Sequence, residues 1–288
     1  MQRIFYVYRE HTYDHDITKV GKSENTMYLF ERLYGKDILY PFPHHLFQSE
    51  EDKRAALGYC ACSVAVAFMH QIITMILKGK SQHHESQGLQ LIRITVHVGL
   101  YTKIDEIHIY LQETPRMIYT VDQSGEPDMS EYGHSLLRVT LKGGEQYAFD
   151  LAGAQFGYHE TITPWSLYVQ TRAEAGSIRV FPYDHTLNMI LADISESATR
   201  QAVTMRYRKS LANVAKVLCE EYGATKGNVP VCEMLKLAQG AFEEEREHLV
   251  YCVGNMLTWF KAELKRQDRL PQAPSWLVGV RMDGRDFC

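Results

Sequence analysis

The sequence predicts an α+β fold in which a buried helix packs on an antiparallel sheet and a helical hairpin follows. Three observations support this prediction. Residues 64–77, VAVAFMHQIITMIL, form a nearly uncharged run of helical length; residues 89–183 hold several short β-prone segments; and beyond about residue 185 apolar residues recur at three-to-four spacing. Helices and strands segregated along a chain in this way are typical of α+β proteins.

The first fifty residues are rich in aromatic residues and carry weaker signals. MQRIFYVYRE alternates as a strand does, and PFPHH at 41–45 indicates a loop. Ser49 precedes three acidic residues and is expected to cap a helix. The apolar run that follows covers most of a helix circumference, which predicts a helix buried among other elements.

Short segments rich in β-branched and aromatic residues are predicted as strands, separated by loops at 78–88 and 124–133. These segments are 89–100, 105–112, 116–122, 134–141, 146–151 and 177–183. Gly143 and Gly144 lie between two of them, which predicts a β-hairpin.

The C-terminal part predicts two long helices, 196–222 and 230–267, with Pro230 in the first turn of the second. The expected organisation is an N-terminal irregular or strand segment at 1–50, a core at 51–185, a helical hairpin at 186–270 and a tail at 271–288.

Composition restricts the function classes. The net charge of −4 implies no global attraction to nucleic acid or to a membrane. Six scattered cysteines do not resemble a disulfide framework, and no secretion signal or membrane-spanning run is visible, so we expect a cytoplasmic protein with reduced thiols. His83, His84 and Glu85 lack partner ligands at suitable spacing, so we expect neither a metal nor another cofactor.

The segment GYCACS, residues 58–63, places two thiols at the start of the buried helix. A helix N-terminus favours a thiolate, and a nearby base makes such a thiolate a nucleophile. His134 opens a predicted strand and Asp150 closes the next one. Cys60, His134 and Asp150 are therefore the candidate catalytic residues: nucleophile, proton acceptor and carboxylate that fixes the imidazole.

The hairpin between His134 and Asp150 decides whether these two side chains can meet. They lie on the same face only if the connecting loop has an odd number of residues. A three-residue loop, 142–144, with Gly144 in the left-handed conformation pairs Leu141 with Glu145 and makes Asp150 the diagonal neighbour of His134.

GYC before a buried helix, followed by GHSLLRVTLKGGEQYAFD, resembles the transglutaminase-like branch of the papain-like cysteine enzymes over roughly residues 55–160. The resemblance implies a papain-like core and assigns the triad to Cys60, His134 and Asp150. In that family an aromatic residue usually follows the histidine, where this chain has Ser135. DLAGAQFGY, with PWSLY downstream, is also similar to segments of uncharacterised fungal proteins, so the resemblance does not extend to the substrate site. A stand-alone cytosolic enzyme of this size is consistent with a fungal biosynthetic member.

Other residues near the triad have more than one interpretation. Cys62 is the alternative nucleophile or a residue of the substrate site, because helical phase does not choose between the two thiols. Gln155 is either an oxyanion or substrate donor or part of a loop hydrogen bond. Trp165 either walls a substrate pocket or packs in the core. Cys219, Cys232, Cys252 and His248 fall on apolar helix faces and are expected to be core residues.

Residues 197–219 contain five basic residues and no acidic residue. They indicate either contacts to a phosphate backbone, with Arg200, Arg206, Arg208 and Lys209 as candidates, or a solvated face. In the second case the partners would be four glutamates of the next helix: Glu243, Glu244, Glu245 and Glu247.

The leading functional hypothesis is a cysteine-dependent acyl-transfer enzyme that forms or cleaves an amide bond on a peptide-like or aminoacyl substrate through a thioester. One alternative is a cyclodipeptide synthase that takes aminoacyl groups from tRNA, with the basic residues holding the RNA. A second alternative is a non-catalytic module of the same fold that binds a peptide or protein.

Overall fold

The computed structural model describes residues 1–32, 37–78, 101–197, 199–224 and 228–266. The predicted strand at 89–100, the loop at 78–88 beyond its first residue, the segment His83–Glu85 and the tail at 271–288 lie outside these residues. The helices are α1 (Gln2–His11), α2 (Glu50–Gly58), α3 (Cys62–Lys78), α4 (Trp165–Arg172), α5 (His185–Glu196), α6 (Arg200–Glu221), α7 (Val231–Met234) and α8 (Gln239–Arg266). The strands are β1 (Ile17–Ser23), β2 (Thr26–Glu31), β3 (Tyr101–Ile109), β4 (Met117–Val121), β5 (His134–Leu141), β6 (Gln146–Phe149), β7 (Ile162–Pro164) and β8 (Arg179–Pro182).

The larger sheet is antiparallel throughout, in the order β7-β6-β5-β3-β8. Side chains alternate between its two faces. Ile104, Leu137 and Val139 join the main core on the face that packs against α3, whereas Ile107 and Leu136 join a smaller cluster with Tyr168 of α4. The α+β class is therefore confirmed, with helices covering both faces of this sheet.

A second sheet has three strands in the order β1-β2-β4. Its β1 and β2 form an antiparallel pair, while β2 and β4 run parallel. The main core cluster extends from Ile4 to Leu257 and draws on both sheets, α1 to α3 and the C-terminal helices. The segments predicted as separate regions thus share one core.

The prediction of a strand at the N-terminus is wrong, because residues 2–11 form α1. Ile4, Phe5 and Tyr8 are buried at the three-to-four spacing of a helix face, and α1 packs against α2, α6 and α8. Packing with these distant helices selects the helical pattern over the alternating one.

The predicted helix cap at Ser49 is confirmed, since its side chain accepts a hydrogen bond from the Asp52 amide at 3.1 Å. The predicted C-terminal helices are present with different boundaries. A separate helix, α5, precedes α6, and the second predicted helix is divided into α7 and α8. The helices α6 and α8 pack against each other, as expected of a hairpin.

In the described part of the chain, no single helix has the length and apolarity needed to cross a membrane. Among the described residues, α2 and residues 62–76 of α3 together have that length and apolarity. The chain bends by 92° between these two helices.

Candidate active site

The turn between α2 and α3 determines which thiol stands at the helix start. α2 ends at Gly58, where a Cβ atom would lie 3.1 Å from the Ala152 carbonyl oxygen, so glycine allows a close approach to that segment. Cys60 then adopts a left-handed φ of 48°, and α3 begins only at Cys62. Cys62, not Cys60, therefore lies in the first turn of the buried helix.

The hairpin of β5 and β6 brings His134 and Asp150 together. Gly144 has a φ of 90°, and the Leu141 amide bonds the Glu145 carbonyl at 2.8 Å, which confirms the three-residue loop. The register continues this pairing through Leu137 and Phe149. His134 Nε2 and Asp150 Oδ2 are 2.9 Å apart, and both side chains are buried.

The Asp150 carboxylate has three hydrogen-bond partners. Besides His134, the Ala152 amide donates to Oδ1 at 3.1 Å and the Tyr168 hydroxyl donates to Oδ2 at 3.0 Å. Burial alone would raise the pKa of Asp150, but His134 and the Tyr168 hydroxyl outweigh burial and lower it. The carboxylate is therefore held ionised beside the imidazole.

The Cys62 thiol lies against the same imidazole. Burial by itself would raise the pKa of this thiol, but His134, the Ser135 amide and the Ser63 hydroxyl lower it. His134 responds in the opposite sense: burial lowers its pKa, while Asp150 and Cys62 raise it to about 10. These shifts favour a thiolate and an imidazolium as an ion pair.

The two nitrogens of His134 have different surroundings. Nε2 is engaged by Asp150, whereas Nδ1 is buried and makes no hydrogen bond of ordinary geometry with the described residues. The Cys62 thiol itself points to the Gly133 carbonyl at 3.9 Å, a long contact. Nδ1 is therefore the nitrogen left to exchange a proton. The Phe156 ring meets the imidazole edge to face at 4.9 Å.

The two candidate thiols, Cys60 and Cys62, have different neighbours. The sulfur whose charge interacts with His134, and whose pKa His134 lowers, belongs to Cys62. The Cys60 thiol interacts with the Tyr59 hydroxyl, and its amide donates to Gln155 Oε1 at 3.1 Å. Cys60 thus helps to form the wall of the site.

Gln155 is placed beside both cysteines. Its side chain is 94% buried, its Oε1 is held by the Cys60 amide, and its Nε2 has no hydrogen-bond partner among the residues that the structure describes. A buried amide nitrogen without a partner is costly, so it is available to a ligand oxygen. The loop hydrogen bond predicted for Gln155 is therefore present, and it leaves the Nε2 donor unused by the described residues.

Two clefts meet at Cys60 and Gly133, which line both of them. The first has a volume of about 260 Å³ and is lined by Cys62, Gln155 and several tyrosines. The second, about 250 Å³, is lined by His134 together with His108, Phe181 and His185. Cys62 thus lines the first cleft and His134 the second.

Trp165 does not line either cleft. Its ring stacks on Tyr168 at 6.1 Å and lies 5.3 Å from the guanidinium of Arg138, on the α4 side of the sheet. These contacts are of the packing kind that the sequence offered as one of the two roles of Trp165.

The cysteines of the C-terminal helices are remote from these clefts. Cys219 is buried, which raises its pKa to about 12, while Cys232 and Cys252 are half-buried. His248 pairs with the Tyr222 hydroxyl at 2.7 Å. Across the described ranges, no group of three or more histidine, cysteine or acidic residues could hold a metal ion.

The basic residues of α6 are used within the protein. Arg208 is 3% exposed and forms an ion pair with Asp14. Arg206 donates to the carbonyls of Ile194 and Ser197. In these contacts Arg206 and Arg208 neither form a free basic surface nor pair with the glutamates of α8. Neither interpretation of the sequence predicts them.

Arg200 likewise donates to the Asp37 carbonyl and to the Tyr40 hydroxyl. The glutamates of α8 have other partners: Glu247 pairs with Arg3, and Glu245 accepts from the Val229 amide. The predicted pairing between α6 and these glutamates is therefore not what holds the two helices together.

Sequence reasoning missed Tyr168, Phe156 and His108. Tyr168 lies 18 residues after the carboxylate that it contacts, and no local spacing indicates that contact. His108 could have been noticed because it stands between two isoleucines near the end of β3.

The chain has no match among known protein families, curated proteins or solved structures.

Proposed function

We propose that this protein is a cysteine-dependent acyl-transfer enzyme with Cys62 as nucleophile, His134 as general acid and base, and Asp150 as the carboxylate that orients the imidazole. The observation that carries the proposal is the convergence of the three side chains, with the thiol pKa lowered and the imidazole pKa raised. Paired shifts of this kind are typical of catalytic cysteines.

The chemistry follows from these positions. The Cys62 thiolate attacks a carbonyl carbon and forms a thioester, while the imidazolium of His134 gives its proton to the departing group. Asp150 and its Tyr168 partner keep the ring in one orientation and stabilise its positive charge.

The negative oxygen of the tetrahedral intermediate needs hydrogen-bond donors. We assign this role to the Cys62 amide at the start of α3 and to the buried, unpartnered Nε2 of Gln155. The removal of one such donor typically costs about 100- to 1000-fold in turnover.

The substrate class that fits is an amide, ester or thioester of a peptide-like or aminoacyl group, bound in the cleft that contains Cys62 and Gln155. This role agrees with the resemblance to transglutaminase-like enzymes, with the nucleophile moved by two residues. The intramolecular contacts of Arg200, Arg206 and Arg208 do not favour the RNA-dependent alternative.

Selective alkylation tests the proposal. The folded protein is treated with a limiting amount of iodoacetamide near neutral pH, and the adduct is mapped by mass spectrometry. We expect Cys62 to react first, Cys60→Ser to keep the rate within about threefold, and His134→Gln to lower it at least about tenfold. First reaction at Cys60, or labelling that does not depend on His134, would contradict the assignment and favour a non-catalytic binding module.

A further inference from the structure

A second hydrogen-bonded chain of side chains ends in the cleft beside His134. Glu106 Oε2 accepts from the Thr186 amide at 2.9 Å and from the Thr186 hydroxyl at 2.7 Å. His108 Nε2 lies 3.3 Å from the same hydroxyl oxygen. Glu106 and Thr186 are buried, whereas His108 is half-buried and lines the cleft.

The direction of these hydrogen bonds fixes the tautomer of His108. The one hydroxyl proton of Thr186 is donated to the carboxylate, so Thr186 Oγ1 can only accept from the imidazole. His108 must then carry its proton on Nε2, and its Nδ1 presents a lone pair. Nδ1 makes no hydrogen bond to the described residues, which leaves that lone pair available to a ligand.

The surroundings keep the ring of His108 neutral and in place. Burial, followed by the charges of His185, Arg179 and His134, lowers the pKa of His108. The Phe181 ring lies 4.6 Å from the imidazole of His108 and stacks on His185 at 4.3 Å. A neutral imidazole with an oriented lone pair is a proton acceptor at neutral pH.

The lining of the second cleft places this acceptor near His134. Atoms of His108, Ser135 and His134 line that cleft, which also reaches Cys60 and Ser63. His108 is paired with Ser135, the residue that follows His134. The Cys62 thiol contacts the Gly133 carbonyl at 3.9 Å, and Gly133 lines both clefts, so a molecule in the second cleft would lie next to a Cys62 thioester.

We propose that His108 is a second general base, oriented by Thr186 and Glu106, that accepts a proton from a primary amine as the amine takes the acyl group from Cys62. This inference rests on the proposed function and deepens it, because it makes the protein an amide-forming transferase. His108 is the catalytic residue of this step, and Thr186 and Glu106 are positioning residues.

An amine that arrives as an ammonium ion first loses one proton to solvent, because the cation has no lone pair with which to attack. The free amine nitrogen then forms a bond to the thioester carbonyl carbon, and the C–S bond breaks with its electron pair on the Cys62 sulfur. One amine proton passes to Nδ1 of His108 and then to solvent. The pair of Cys62 and His134 takes up one proton from solvent and regains its thiolate and imidazolium form.

The lining of the cleft indicates the class of amine. Phe181, Met189, Ile190 and Met205 provide apolar surface, and Asp193 is an acidic group at the same cleft. An apolar body fits the first set, and the carboxylate attracts the cationic form in which an amine arrives. The acceptor is therefore a primary amine on an apolar or aromatic group.

This inference is tested by measuring how the acylated enzyme divides its acyl group between an amine and water. The protein is acetylated with p-nitrophenyl acetate, acetyl-Cys62 is verified by peptide mapping, and benzylamine is added. The ratio of N-benzylacetamide to acetate is then measured. In His108→Gln, which keeps a donor to Thr186 and loses the base, we expect this ratio to fall about 100-fold.

The hydrogen-bonded chain of His108, Thr186 and Glu106 allows matched control variants. Thr186→Ser should retain the ratio of amide to acetate, whereas Thr186→Val should lower it, since only serine keeps the hydroxyl that orients His108. An unchanged ratio in His108→Gln, in a variant with wild-type thermal stability, would overturn the inference. Failure to acetylate Cys62 at all would instead contradict the proposed function.

A measurement without turnover separates the two proposals further. Long-range ¹H–¹⁵N NMR of histidine-labelled protein near neutral pH should show His108 protonated on Nε2 and unprotonated on Nδ1. An Nδ1-protonated ring, or an imidazolium, would overturn the role of His108 whatever the activity of Cys62.

Discussion

The Tyr168 hydroxyl donates to the same oxygen of Asp150, Oδ2, that contacts His134, at 3.0 Å and 2.9 Å respectively. The carboxylate is thus anchored from α4 as well as from the hairpin that carries it. Burial, together with the negative charge of Asp150, raises the pKa of Tyr168 well above its usual value, so this phenol remains a donor at all ordinary pH values.

Tyr168→Phe should lower the free energy of unfolding by about 2 kcal/mol, because it removes a buried hydrogen bond to a charged group. Urea denaturation monitored by circular dichroism measures this loss. Tyr158→Phe is the matched control, since its hydroxyl bonds the Glu113 carbonyl at 3.3 Å in an exposed position. Equal losses in the two variants would show that the Asp150 anchor contributes nothing specific.

The alkylation rate of Cys62 should level off at a lower pH than the rate of an ordinary thiol, because His134 outweighs burial and lowers the pKa of the Cys62 thiol. An ordinary thiol, with a pKa of about 8.5, reacts faster by nearly tenfold per pH unit up to that value. Iodoacetamide rates at several pH values, resolved by peptide, distinguish the two. A plateau at Cys62 that comes no earlier in pH than that of an ordinary thiol would exclude the ion pair.

Asp150→Asn should cut turnover and the alkylation rate at neutral pH by at least about 100-fold, because the imidazole loses its orientation and its counter-charge. The pKa of His134 then falls, and the pKa of Cys62 rises with it. The rate should recover at alkaline pH, where the thiol ionises without help. A variant that stays slow at high pH although folded would indicate a different role for Asp150.

The same pair links stability to pH. The raised pKa of His134 contributes stability that is complete below about 6.5 and is lost as the pH rises through about 10. The lowered pKa of Asp150 contributes stability that is present above about 3.9 and is lost as the pH falls through its lower folded value. The unfolding free energy of wild type relative to His134→Gln should therefore decrease between about pH 7 and 10. A constant difference would contradict the coupling.

Gly144→Ala should destabilise the protein by about 1–2 kcal/mol, because φ at this position is 90°. Gly143→Ala is the control. Its added Cβ would meet only the Glu145 carboxylate, the free end of an exposed side chain that can move. Chemical denaturation compares the two, and an equal cost would show that the left-handed turn does not hold the register of His134 and Asp150.

Arg208→Ala should cost about 2–4 kcal/mol of unfolding free energy, since Arg208 is buried and its loss leaves the Asp14 carboxylate without its closest cation. Lys209→Ala, the next residue along α6, should cost about 0.5 kcal/mol or less. If tRNA binds this helix, Lys209→Glu is the variant that tests it, because changes at Arg208 would disturb the fold.

The hairpin of β5 and β6 was predictable from sequence, because Gly144 and the odd number of residues in the loop 142–144 determine its register. Which of the two thiols lies in the first turn of α3 was not. The order Gly-x-Cys carries no information on φ, and the left-handed Cys60 delays the start of α3 by two residues. Likewise, residues 1–10 have a strand pattern but form a helix, because they pack against helices that include α8, more than 200 residues away. The partner of Arg208 lies 194 residues away.

The left-handed backbone of Cys60 also governs how substitutions at that position must be compared. Serine keeps a Cβ atom and therefore the same conformational penalty, so Cys60→Ser isolates the chemistry of sulfur. Glycine removes the sulfur and relaxes the turn in one change. If Cys60→Gly gains stability and its activity changes, the geometry of the bend between α2 and α3 affects activity. The difference in activity between the two variants then measures how strongly this bend controls the position of the Cys62 thiol.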